Sequence, residues 1–395
     1  MKKKIPIEKT VVGMYVDSLG KDWMKHNFLR NSFLIKDDTV LQKLKSSKLK
    51  QVVIDTDKGL DLKDEKTAEP AEQVEDTQNK KTEKPLFPTT SAADIKQAKK
   101  AFKVASKVVC DLMKDVRSGK ALNKEKARDS AEQIIKSIDS SPHTLTAVTR
   151  IKTRDEYTFQ HSVGVATLLA GFARHMGDFS DDQIEEITVG GIIHDIGKVN
   201  TPDHILNKPD KLTDEEFVIM REHVTHSRDI LQENGGFTQM QLDISLMHHE
   251  KPNGKGYPLG LKADEISEIG AMAAIIDVYD ALSTKRVYKE AWEPSHALKS
   301  MVEWGEGAFN QPLLMQFISY LGVYPVGTWV MLESGKIGFV LSLNEDKLRP
   351  VVQVKLDLKS RRLLNDELDL SKNRSESIQA VASPSQYGLD EDFSI

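Results

Sequence analysis

The octet Gly191-Ile192-Ile193-His194-Asp195-Ile196-Gly197-Lys198 sets an imidazole and a carboxylate side by side, after an apolar run and before a glycine and a lysine. Adjacent residues on a helix point about 100° apart. The pair can therefore flank two metal ions, the carboxylate bridging them and the imidazole on one. Imidazole with carboxylate suits Zn, Fe, Mn or Ni. Further residues of the same two types lie on either side. His161 lies upstream in Tyr157-Thr158-Phe159-Gln160-His161-Ser162, and His223 lies in a segment that reads as a helix over 213–232. Then come His248-His249-Glu250 and Asp277. Five histidines and two aspartates, each at or near the end of a helical pattern, are about what two ions sharing a carboxylate and solvent would use. The doublet weighs most, because two neighbouring imidazoles in an otherwise apolar helix are costly to bury unless something binds them.

The elements that must position these groups are legible around them. A helix over 159–175 supplies His161. His175, at its far end, is about 21 Å along the axis by the helical rise and reads as a helix-end histidine outside the site. Ser180-Asp181-Asp182 reads as the N-cap of the helix that ends at His194-Asp195. Pro202 and Pro209 mark a loop, in which His204 reads as solvated. Thr213-x-x-Glu216 is a capping box opening the next helix, where His223 and His226 are three apart and can share a face. Gly254, Gly256 and Pro258 make 251–261 a tightly turned loop. The stretch 264–281 is apolar and helical, with Asp277 and Asp280 one turn apart near its end. Asp277 reads as the ligand and Asp280 as a helix-end hydrogen-bonding group. Helices over 294–304 and 311–320 follow.

Outside this region the chain divides by composition. Residues 1–60 read as a small α+β N-terminal domain, with strands at 4–7, 13–16 and 51–55 around a short helix at 40–48. Trp23, His26 and Phe28 read as packing residues there. Residues 61–92 are Glu-, Lys-, Thr- and Pro-rich, too poor in apolar groups to order themselves, and read as a flexible linker. Residues 93–142 read as a helical connector: Ile95, Ala98, Phe102, Ala105 and Val109 recur at helical spacing up to Gly119, and a second helix spans 123–137. Cys110 falls in the first as a small buried apolar residue. Residues 143–322 carry the site. Strands at 328–332, 337–341 and 351–356 make 323–370 a β appendage, and 371–395 reads as a disordered tail. The fold class expected is mainly α.

Composition bounds the rest. Among 395 residues, 29% are charged and 39% hydrophobic, which suits a soluble protein with ample core. A net charge of −5 argues against a general nucleic-acid binder but leaves room for a local basic cluster. The single cysteine excludes an intrachain disulfide. Neither a signal peptide nor an apolar run long enough to span a membrane is found, so a cytoplasmic location is expected.

His194-Asp195 with Lys198, followed by His248-His249-Glu250, Gly254-x-Gly256-Tyr257-Pro258, Asp277-Val278-Tyr279-Asp280-Ala281-Leu282 and Arg286-Val287-Tyr288-Lys289, resembles the HD-GYP family, over about 145–322. These are bacterial cyclic di-GMP phosphodiesterases of the HD metal-phosphohydrolase superfamily. Residues 1–60 resemble the small domain found ahead of some of them. The resemblance implies an all-helical catalytic domain with two ions, Fe or Mn. One ion would take His161, His194, Asp195 and Asp277, the other Asp195, His223, His248 and His249, with His226 outside the set. A bridging water or hydroxide would attack phosphorus in line with the ribose 3′ oxygen, opening cyclic di-GMP to pGpG and onward to GMP. Asp195 and Lys198 are the implied catalytic residues. Lys198, Arg286 and Lys289, with Gly256, Tyr257 and Pro258, would meet the substrate. A GGDEF-type protein partner at the Gly-Tyr-Pro loop and a homodimer are also implied.

This chain departs from the family in three places. Asn253 stands where aspartate is usual, Ser227 where glycine is common, and Val287 where proline is frequent; no ligand is lost. Two ions rather than three are expected, because Tyr157 occupies the position, one turn before His161, where trinuclear members carry a glutamate. The competing readings are an HD phosphohydrolase of another nucleotide, such as a dNTP or ppGpp, and a non-catalytic cyclic di-GMP receptor.

Overall fold

The computed structural model describes residues 2–18, 33–36, 38–45, 51–56, 58–60, 92–141, 143–149, 157–284 and 291–389. The chain forms two compact units, Met1–Glu83 and Lys84–Ile395. In the first, strands β1 (Lys2–Pro6), β2 (Tyr15–Ser18), β3 (Phe33–Leu34) and β4 (Gln51–Asp55) make a sheet of order β1-β4-β2-β3, with helix α1 (Asp38–Lys45) between β3 and β4 in sequence. Ile5, Met14, Val16, Ile35, Leu44, Val52 and Ile54 are its core. The linker expected at 61–92 falls, but for Ala92, outside the described residues, as do Trp23, His26 and Phe28.

The second unit is mainly helical. Its helices are α2 (Ala92–Arg117), α3 (Lys124–Ser140), α4 (Thr144–Thr149), α5 (Tyr157–Met176), α6 (Asp181–Ile193), α7 (Asp203–Leu206), α8 (Asp214–Asn234), α9 (Gln239–Met247), α10 (Glu268–Ser283), α11 (Pro294–Glu303) and α12 (Gln311–Leu321). Their starts follow local chemistry. Ser180 and Gln183 form a capping box on α6, Thr213 and Glu216 one on α8, and the Ser267 hydroxyl caps α10. Helices α5 and α10 are apolar on most sides and buried accordingly, from Val163 to Ala173 on one and from Met272 to Ile276 on the other. Each such aliphatic side chain contributes roughly 1.5–3 kcal/mol by leaving water. Helix α5 packs on α6 and α10, and α9 on α6, α8 and α10. This rigid packing fixes the helix ends that carry the candidate ligands. None of the described helices is long and apolar enough to cross a membrane.

At the C-terminal end, β5 (Trp329–Leu332), β6 (Lys336–Ser342), β7 (Val351–Asp357), β8 (Arg362–Asp369) and β9 (Ile378–Val381) form an antiparallel sheet of order β8-β7-β6-β5-β9. The expectation of a disordered tail from residue 371 is corrected here. Val381 and Ala380 pair with Val330 and Met331, which gives that polar segment backbone partners at a sheet edge, and a 3-10 turn follows at Pro384–Tyr387. The backbone ladder orders the segment, and Ala382, Tyr387 and Leu389 pack against the apolar side chains of the sheet. Residues 390–395 lie outside the described part.

Candidate metal centre

Helix α6 ends where its chemistry begins. His194 is still in helical conformation and Asp195 leaves it at φ −100°, ψ 13°, ahead of a 3-10 turn at Ile196–Asn200. That turn packs against α8: the Gly197 N–H donates to the Ser227 hydroxyl at 2.8 Å. A Cβ on Gly197 would lie 2.1 Å from the His223 carbonyl oxygen, so only glycine allows this approach. Ser227, a departure from the family pattern, is thus bonded into the turn. Ser245 on α9 donates to the His194 carbonyl at 3.0 Å.

The imidazoles are oriented in one way. The Nδ1–H groups of His194, His223 and His248 donate to the carbonyls of Gly191 (2.8 Å), Met220 (2.6 Å) and Ser245 (2.9 Å). His161 Nδ1 is held by the Asp280 carboxylate at 2.6 Å. A carbonyl can only accept, so each of these three rings carries a proton on Nδ1 and, in its neutral form, aims a bare Nε2 inward. Nε2 of His161 lies 2.9 Å from Asp277 Oδ1 and 3.6 Å from Asp195 Oδ2. Nε2 of His194 lies 3.3 Å from Asp195 Oδ2. On the other oxygen, Asp195 Oδ1 lies 3.2 Å from His223 Nε2 and 3.8 Å from His248 Nε2, and those two nitrogens are 3.5 Å apart. His249 Nδ1 stands 3.7 Å from Asp277 Oδ2.

The seven candidate ligands are therefore brought together, and Asp195 faces one group of imidazoles with each oxygen. Two clusters, His161-His194-Asp195 and His223-His248-His249, each have ligand atoms within 4.8 Å of one another. Lone pairs converge with too few protons between them. His194 Nε2 and Asp195 Oδ1 are buried without a hydrogen-bond partner. Unpaired buried acceptors cost free energy unless a cation takes them. Asp195, Asp277 and Asp280 are all buried, and the Lys198 ammonium is drawn onto Asp195 Oδ2 as a partial counter-charge. The donor set fits divalent metal ions.

Electrostatics prepares the same state. Burial pushes the Asp195 carboxyl up, but Lys198 and His194 outweigh it and hold it well below the usual carboxylate range. Burial likewise opposes, and the bond from His161 with the charge of His249 overcomes, at Asp277, which also lies well below. Burial lowers His248 well below its ordinary value and takes His249 to about 3. His194 is the exception: burial lowers it, yet Asp195 and Asp277 prevail and raise it.

The Gly-Tyr-Pro loop closes over His249, with the Tyr257 ring 4.7 Å from the imidazole, centre to centre. Glu250, quoted within the motif but given no role there, anchors this loop: its buried carboxylate accepts the N–H groups of Leu259 (2.7 Å), Gly260 (3.1 Å) and Leu261 (3.0 Å). A Cβ on Gly256 would meet the Glu250 Cα and Lys251 N at 2.4 Å. Asn253 accepts from the Lys255 N–H at 2.9 Å, the turn-capping bond expected of it. Asp280 does more than finish a helix, since it sets the ring of His161. Its partner is distant in sequence, so helical spacing alone could not reveal the bond. Arg286 and Lys289 lie outside the described residues, as does the side chain of Tyr157. His175 lies against Tyr320, ring centres 5.6 Å apart, consistent with its reading outside the ligand set.

A family model described as an HD domain matches residues 132–308, and one described as a domain of unknown function (DUF3391) matches residues 2–127. The chain is 36% identical, over 367 residues, to a cyclic di-GMP phosphodiesterase of Pseudomonas aeruginosa, covering 91% of this chain and 87% of that protein. It is 42% identical over 137 residues to a cyclic di-GMP phosphodiesterase of Thermotoga maritima, covering 34% of this chain and 37% of that one. Among solved structures, an HDG"Y"P protein from Bdellovibrio bacteriovorus superposes with a TM-score of 0.50 at 17% identity, covering 81% of this chain and 99% of the other. At that identity the likeness speaks for the fold.

Proposed function

The chain belongs to the HD-GYP family of HD-domain proteins, and from that premise we propose that it is a metal-dependent phosphodiesterase opening cyclic di-GMP to linear pGpG. The observation that carries this reading is the convergence of bare Nε2 atoms and two buried carboxylates with Asp195 between them. His161, His194, Asp195 and Asp277 would hold one ion, and Asp195, His223, His248 and His249 a second. Fe or Mn suits this mixture of imidazole and carboxylate. When bound, the ions supply Lewis acidity at the phosphate and lower the pKa of a coordinated water to about 7.

The chain's own residues do the remaining work. The backbone carbonyls of Gly191, Met220 and Ser245 and the Asp280 carboxylate fix the rings, which keeps the site preorganised. Burial of Asp195 and Asp277 excludes bulk water, so their charges act in a low dielectric. Lys198, one turn past Asp195, is placed to pass its charge to a phosphate oxygen once the carboxylate is engaged. Arg286 and Lys289 are proposed to assist. The Tyr257 ring covers His249 and forms a wall for the substrate. Leu259, 54% exposed on the same loop, supports the reading that a GGDEF-type partner docks there.

A substrate panel tests the assignment. Metal-loaded protein is expected to convert cyclic di-GMP to pGpG with a kcat/KM at least about tenfold above that for 3′3′-cyclic GMP-AMP, ppGpp or any dNTP. That margin corresponds to about 1.4 kcal/mol of discrimination. Preference for a mononucleotide or ppGpp would refute it.

A further inference from the structure

Arg221 lies on α8 two residues before His223 and belongs to none of the motifs quoted above. Its guanidinium carbon sits 4.5 Å from the centre of the Tyr257 ring and 5.9 Å from that of Phe217. Tyr257 in turn packs on His249, so one aromatic ring joins the guanidinium to the metal centre. Phe217 and Arg221 are one turn apart on one face of α8, and Phe217 meets Tyr257 edge-on at 6.2 Å. A guanidinium held on aromatic faces is pre-oriented and keeps its in-plane fork of N–H donors.

Among the described residues that fork is unused. Of the half-buried arginines among the described residues, Arg174 binds Asp139 and Asp181, Arg228 binds Asp229, and Arg349 binds the Leu370 and Glu376 carbonyls. Arg221 has no hydrogen bond or ion pair within the described residues. A half-buried cation, braced and unpaired beside a phosphodiesterase centre, is a place for an anion.

We propose that Arg221 binds the phosphate of the cyclic dinucleotide that is not being cut, while the scissile phosphate lies at the metal ligands. This rests on the reading of the chain as a cyclic di-GMP phosphodiesterase. Such a substrate carries two phosphodiesters on one ring, so both come to the site together. Leaving the second uncompensated near buried Asp195 and Asp277 would be costly. Lys198, beside Asp195, is assigned to the scissile phosphate. A guanidinium fork matches two phosphate oxygens at once, which an ammonium does not. Phe217, 46% exposed beside the fork, offers an aromatic face on which the adjoining base stacks.

The test compares Arg221→Met, which keeps the aliphatic stem over the rings, with Arg221→Lys, which keeps charge without the fork. In metal-loaded full-length protein, Arg221→Met is expected to raise KM for cyclic di-GMP about tenfold or more with kcat changed less than about threefold, and Arg221→Lys to fall between. Bis(p-nitrophenyl) phosphate has a single phosphodiester, so its kcat/KM should suffer at least about tenfold less than that of cyclic di-GMP. Equal losses on both substrates, as a merely structural role would give, overturn the assignment, and so does an unchanged KM. Should wild type cut the single diester but not cyclic di-GMP, the function reading has failed, and binding decides the role of Arg221. Calorimetric affinity for cyclic di-GMP weakened about tenfold in Arg221→Met keeps the assignment, and unchanged affinity removes it.

Discussion

Asp195 is the residue on which the centre turns, because each of its oxygens faces a different group of imidazoles. His194→Ala or Asp195→Ala is expected to abolish cyclic di-GMP hydrolysis and to lower bound metal, the aspartate variant losing both ions. Either variant with near-wild-type turnover at full metal loading would sink the ligand assignment. Asp280→Asn should act more gently. It leaves the ligands in place but weakens the bond that aims His161, and metal affinity is expected to fall about 10–100-fold by equilibrium dialysis. The sign of the pH effect follows from His194. Its folded-state pKa is raised above 6.5, so at lower pH its Nε2 carries a proton that metal must displace. His248 and His249, held neutral, release none there. Affinity for the ion held by His194 should therefore rise by about tenfold per pH unit below the His194 pKa and level off above it, with about one proton released in calorimetry as that ion binds at low pH. A flat profile from pH 5 to 8 would contradict this. The candidate ligands were legible in the sequence because imidazole and carboxylate are rare in apolar helix ends. Asp280 and Arg221 were harder to read, since each acts through a residue on another element that the fold alone brings near.

At the scale of elements, the helices that carry the site announced themselves through caps. The N-cap read at Ser180 and the capping box read at Thr213-x-x-Glu216 both form, and the structure adds a reciprocal bond from Gln183 at the first. Strands were less legible where burial is weak. β8 is mostly exposed and reads Arg-Leu-Leu-Asn-Asp-Glu-Leu-Asp, so no apolar alternation marks it, and β9 is recognised only by its ladder with β5. The Gly-Tyr-Pro loop is the element most sensitive to a small change. Gly256→Ala forces a methyl into the Glu250 backbone and is expected to lower kcat/KM by at least about tenfold, while Asn253→Asp, which can make the same turn bond, should change kcat by less than about tenfold. The reverse order, measured by steady-state kinetics on both variants, would show that this loop is not part of the working site.

At the scale of the whole molecule, all seven proposed ligands lie in one unit, Lys84–Ile395. In the proposed reading this unit cuts cyclic di-GMP with metal held by those residues. The most direct measurement is product analysis of cyclic di-GMP incubated with full-length protein, metal-stripped and then reconstituted with Fe or Mn without oxygen. No turnover is expected when stripped, and stoichiometric conversion to pGpG when two equivalents of metal per chain are restored. Tight binding of cyclic di-GMP with no pGpG formed at full metal loading, or undiminished turnover after metal removal, would contradict that reading.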